Sequence, residues 1–134
     1  MSKMISRYNG NLRTEAVHLE SKNKIITDAP KDNQGLGEAF SPTDLLCTSL
    51  ASCKLTIMGI KAKSLEVNMD GVEIEIEKKM SQSPRKVEEI ILNFNWHGAD
   101  KKISAEQMES LKRAAMACPV ALSLDPSIKK TINW

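Results

Sequence analysis

The residues of this chain best able to do covalent chemistry are its three cysteines, at positions 47, 53 and 118. Cys53 ends the run SPTDLLCTSLASC, and Cys118 stands in ACPVALSL. They are 118 − 53 = 65 positions apart. That spacing does not fit a zinc site made from two short Cys-x-x-Cys knuckles. It does allow a fold to bring two thiols together. A free cysteine is also among the most buried residue types and packs like a small hydrophobe. The residues alone therefore leave two readings open for Cys53, a working thiol or inert core. Cys47 is assigned to the core. Cys118 precedes a proline at a predicted helix end, a structural discontinuity where a thiol is less readily explained by packing.

The other polar candidates carry less. His18 and His97 have no ligand spacing, and no metal site is expected. Gly35 and Gly37 lack the strand-to-helix G-x-G-x-x-G pattern, so no dinucleotide site and no cofactor are expected. Ser41 has no nucleophile-elbow context and reads as a helix cap. A net charge of +2, from 19 Lys+Arg against 17 Asp+Glu, gives no electrostatic case for nucleic acid or a membrane surface. Aromatic residues at 4% leave no stacking platform for bases. No apolar stretch is expected to span a bilayer, and MSKMISRYNG has no secretory-signal pattern. The cytoplasm is the expected location. There, a disulfide would be transient and catalytic rather than a scaffold.

The elements that must position these thiols follow from periodicity and punctuation. At 134 residues the chain is expected to form a single domain over 1–134. Strands are predicted over 5–8, 12–19 and 24–28, with Asn9-Gly10 a hairpin signal. The loop 29–40 leads to a helix from Pro42 to about Lys63, with Ser41 as N-cap, Pro42 at the first position and Asp44 completing a capping-box-like spacing. Leu46, Leu50, Cys53, Ile57 and Ile60 form one stripe, which predicts that Cys53 faces the core; Cys47, Ala51 and Met58 form an adjacent one. A strand block over 67–80 changes phase at Gly71, predicting a β-bulge there. A turn at 82–85 returns the chain through Ile90, Leu92, Phe94 and Trp96. Ser104 and Gln107 cap a second helix over about 105–117, which Cys118-Pro119 breaks. A short helical turn at 120–124 and a strand at 128–134 complete the chain. Two strand blocks with helices laid against them predict an α+β fold.

Two motifs tie this pattern to a known family. GEAFSPTDLLCTSLASC, residues 37–53, resembles the first cysteine motif of the OsmC/Ohr family (osmotically inducible protein C and organic hydroperoxide resistance protein). AMACPVALSL resembles its second, a helix-ending Cys-Pro. YNGNLRTEA and KIITDAP resemble its opening hairpin, and the resemblance covers nearly the whole chain. It implies antiparallel sheets around a long central helix in β-β-β-α-β-β-α-β order, and an intertwined homodimer with its site at the subunit interface. It implies that Cys53 is the peroxidatic thiol, Cys118 its resolving partner and Arg13 the cation that assists the thiolate. Such a cation is physically required, because burial alone disfavours a thiolate. The sequence departs from the family at Thr43, where peroxide reductases carry the glutamate that orients the arginine. Glu38 is the candidate stand-in.

The expected activity is a thiol-dependent peroxidase. Cys53 would take oxygen from an organic hydroperoxide, Cys118 would form a disulfide with it, and a dithiol reductant would restore the pair. Thr43 motivates the alternative, a non-catalytic OsmC-like protein that binds a small hydrophobic or thiol-bearing ligand in the same pocket. A third possibility, three purely structural thiols, is motivated by how well each fits an apolar stripe.

Overall fold

The structure is a computed structural model that describes residues 1–134. The chain divides into two compact units, Met1–Leu46 and Cys47–Trp134. In the first unit, β1 (Met4–Gly10), β2 (Arg13–His18) and β3 (Lys24–Asp28) form an antiparallel meander. The β1–β2 turn uses Gly10, Asn11 and Leu12, all at positive φ. Gly10, at φ 87°, is the residue that adopts this conformation at least cost. The β2–β3 register sets Arg13 directly opposite Asp28.

The predicted cap of α1 (Pro42–Leu65) is present and reciprocal. The Asp44 N–H donates to Ser41 Oγ at 3.0 Å, and the Ser41 N–H donates to Asp44 Oδ2 at 2.9 Å. These bonds satisfy donors that the first helical turn otherwise leaves unpaired. By length and hydropathy α1 would reach across a bilayer, but Cys47, Leu50, Ala51, Met58 and Ala62 on it are core residues. A buried core helix passes the same test.

In the second unit, β4 (Glu73–Gln82) pairs antiparallel with β5 (Arg85–Asn95), and β6 (Lys129–Asn133) pairs parallel with β5. A capping box between Ser104 and Gln107 starts α2 (Ala105–Ala115). Pro119 opens the short α3 (Pro119–Ser123), whose N-cap is Cys118. Two buried clusters hold this unit together. One gathers Leu50, Val87, Ile90, Leu92 and Cys118; the other joins Met58 and Ala62 to Trp96, Leu111 and Ala115.

Three expectations are corrected. The second sheet is mixed rather than antiparallel, because β6 returns along β5 in the same direction after the intervening helices. Gly71 is no bulge within a strand: 67–72 is a turn, with the Asp70 N–H bound to Asn68 Oδ1 and the Val72 N–H to the Met69 carbonyl. The irregularity lies at Lys79/Met80 instead. The local hydrogen bonds of Asn68 outweigh the alternation that suggested a strand. The buried face of α1 is also not the predicted stripe. It runs through Cys47, Leu50, Ala51, Lys54, Met58 and Ala62, while Leu46 and Ile60 are exposed and Cys53 is only half-buried. A lysine inside the buried face hid the true stripe from an apolar-pattern reading.

Candidate active site

In the second unit, Cys53 projects from the middle of α1 and Cys118 sits at the break between α2 and α3. The fold joins them: Cys53 lies close enough to Cys118 and to the backbone N–H of Val120 for both to act on its ionisation. Pro119 stops α2, and the Cys118 sulfur turns to accept the Ala121 N–H at 3.4 Å, capping α3. Cys118 is fully buried, whereas Cys53 is part-exposed. That asymmetry suits one accessible and one shielded sulfur. Cys47 is 1% exposed within the first cluster, as its core assignment requires.

The ionisation of Cys53 is set by opposing influences. The Val120 N–H favours the thiolate most strongly. Burial, the hydrogen bond to Cys118 and the charge Cys118 carries when ionised oppose it, and they outweigh both that bond and the attraction of Lys54. The thiol is therefore pushed above its ordinary value.

Lys54 was missed by the sequence reading. It is 2% exposed, and its Nζ donates to the carbonyl of Ala115 at 2.9 Å. Its pKa is lowered, chiefly by burial, while Cys118 and Cys53 favour its charged form. The available signal was its position in the i, i+3, i+4, i+7 row that begins at Cys47.

In the first unit the structure gathers Arg13, Glu38 and Asp28. Arg13 Nη2 donates to Glu38 Oε2 at 2.5 Å and lies 3.5 Å from Asp28 Oδ2. Asp28 is 1% exposed and also accepts the Glu38 backbone N–H at 2.9 Å. One buried carboxylate thus holds both the arginine and the loop carrying its second partner. The hydrogen bond that Arg13 donates to Glu38, then the charges of Asp28 and Glu38, raise the pKa of Arg13 further, so it stays cationic. Thr43 engages Ser41, its Oγ1 lying 3.2 Å from Ser41 Oγ. Asp28 was legible in hindsight as the cross-strand, opposite-charge neighbour of Arg13.

A family model described as OsmC-like protein matches residues 35–133. The chain belongs to the OsmC-like protein family. Among solved structures, one from Psychrobacter arcticus, whose name refers to osmotic stress induction and a detoxification response, is 47% identical. The alignment covers 99% of this chain and 95% of that one, with a TM-score of 0.88. An organic hydroperoxide resistance protein from Legionella pneumophila is similar in fold, with a TM-score of 0.74 at 16% identity over 99% of this chain and 95% of that one. Another from Bacillus subtilis gives a TM-score of 0.64 at 16% identity, over 99% and 96%. No curated protein matches the sequence. The OsmC-like chain thus has the α+β fold expected, two three-stranded sheets with a long helix, a fold it shares with these two organic hydroperoxide resistance proteins.

Proposed function

We propose that this OsmC-like protein is a thiol-dependent peroxidase that reduces organic hydroperoxides. The observation that carries this reading is the interacting pair made of Cys53 and Cys118, brought together from positions distant in sequence. The Cys53 thiolate attacks the terminal oxygen of ROOH. The O–O bond breaks, Cys53 becomes a sulfenic acid, and RO⁻ takes a proton to leave as ROH. The Cys118 thiol then displaces hydroxide from the sulfenic sulfur, forming the Cys53–Cys118 disulfide and water. An external dithiol reduces that disulfide by exchange and is itself oxidised.

Because Cys53 is pushed above its ordinary value, the first step requires an added positive charge. Arg13 is the proposed source, aligned by Glu38 and Asp28 rather than by the glutamate that Thr43 replaces. Its fork also suits the two peroxide oxygens. The protein is further proposed to act as a homodimer in the cytoplasm. The β1–β3 sheet leaves Ile5, Tyr8, Ile25 and Ile26 exposed, and the second unit leaves Met116 and Leu122 exposed. A second copy would cover such apolar surface.

The deciding assay is consumption of cumene hydroperoxide by purified protein with dithiothreitol. Wild type is expected to turn over, and Cys53→Ser is expected to be inactive. Equal consumption by both proteins would overturn the proposal. The raised Cys53 value and Thr43 favour one second reading, a non-catalytic protein that binds a small hydrophobic or thiol-bearing ligand. Robust turnover would remove it.

A further inference from the structure

Lys54 is a buried charge that the proposed reaction has not yet used. Removing an ammonium from water is costly unless it gains partners. A lysine placed there for packing alone would be readily replaced by leucine or methionine. Its geometry supplies two reasons for a cation. The Ala115 carbonyl that it meets at 2.9 Å belongs to the last residue of α2, where unpaired carbonyls carry the negative end of the helix dipole. Cys118 lies three residues beyond that carbonyl, and Cys53 is the residue before Lys54 on α1. Both sulfurs act electrostatically on this ammonium, which the Ala115 carbonyl holds at the end of the helix that leads into Cys118.

We propose that Lys54 is a positioning residue for the thiol pair, its buried charge stabilising the thiolates that form on Cys53 and Cys118. This rests on the thiol-peroxidase reading and adds a second cation to it. Lys54 serves at two stages. Before attack it favours the Cys53 thiolate. During reduction of the disulfide it favours whichever sulfur leaves, and a better-stabilised thiolate leaves faster. The groups facing its charge are Cys53 on α1, Cys118 at the N-cap of α3 and Lys130 on β6. Lys130 repels it, whereas each thiolate attracts it. The bond to Ala115 fixes the ammonium rather than neutralising it.

The competing explanation is a tether that merely holds α2 against α1. Glutamine and methionine separate the two. Lys54→Gln keeps a donor of reduced reach for the Ala115 carbonyl and loses the charge. Lys54→Met keeps the volume, loses both, and is the variant better suited to folding in an apolar site. The full-length reduced protein is alkylated with iodoacetamide across pH 6–10, and each cysteine is quantified by mass spectrometry, with buried Cys47 reporting any loosening. Both variants are expected to move the Cys53 midpoint upward by about one pH unit, a roughly tenfold slower reaction at fixed lower pH, while Cys47 stays protected. Lys54→Arg is expected to restore most of the shift. An unchanged midpoint in the methionine variant would overturn the inference. So would a shift in the methionine variant that glutamine abolishes, or one accompanied by reactive Cys47. No peroxide enters this measurement. A protein that shows the shift without hydroperoxide turnover refutes the peroxidase reading alone, and turnover without the shift refutes the role of Lys54 alone.

Discussion

Stoichiometric oxidation provides a test whose magnitude follows from the architecture of the second unit. If cumene hydroperoxide drives Cys53 to a sulfenic acid and Cys118 resolves it, the product closes a loop of 118 − 53 = 65 positions. In the chain-entropy treatment, cross-linking a loop of that length removes enough freedom from the unfolded chain to add about 4 kcal/mol of stability. Native strain subtracts from this, but the two thiols are already interacting neighbours. The Cys118 sulfur also keeps an acceptor site for the Ala121 N–H, so the cap of α3 survives oxidation. Most of the entropic gain should therefore remain. For a chain of this size, each kcal/mol moves the thermal midpoint by roughly 3–5 °C, so a rise of about 10 °C or more is expected. The assay pairs differential scanning calorimetry of reduced and oxidised protein with peptide mapping under non-reducing conditions. The map should show one Cys53–Cys118 bridge and unmodified Cys47. Cys118→Ser should show no bridge and should accumulate sulfinic Cys53 under excess peroxide. A map without that bridge, or a bridge that lowers the midpoint, would refute the reasoning.

Three further outcomes are expected. Arg13→Ala should raise the pH midpoint of Cys53 alkylation, since losing a cation disfavours the thiolate and leaves the upward pull of burial and Cys118 unopposed by it; an unmoved midpoint removes Arg13 from the site. Asp28→Ala deprives the Glu38 N–H of its acceptor and should lower stability in guanidinium titrations by about 1–3 kcal/mol, with Asp28→Asn, which keeps an acceptor, losing less; equal losses would show that the bond to Glu38 is not what Asp28 contributes. Leu50→Ala empties a site with 0% exposure in the first buried cluster and should cost about 2–5 kcal/mol by the same titration; a cost near zero would mean the cluster collapses freely around it.

Local signals made much of this protein legible before any coordinates. The Ser41–Asp44 and Ser104–Gln107 boxes placed both helix starts, because capping is settled within four residues. Cys118-Pro119 marked the end of α2, because proline's missing N–H acts on its own turn. The two cysteine motifs indicated the family and the thiols to watch. Long-range geometry decided the rest. Which face of α1 is buried depended on the ammonium of Lys54 finding the Ala115 carbonyl 61 positions away, a partner no periodicity can reveal. Asp28 became part of the arginine cluster only through the β2–β3 register, which set it opposite Arg13. The ionisation of Cys53 likewise rests on Val120, Cys118 and burial, all supplied by tertiary packing. Residue types and spacing determined which groups could react. Only the folded chain determined their surroundings, because burial and charge act through space rather than along the sequence.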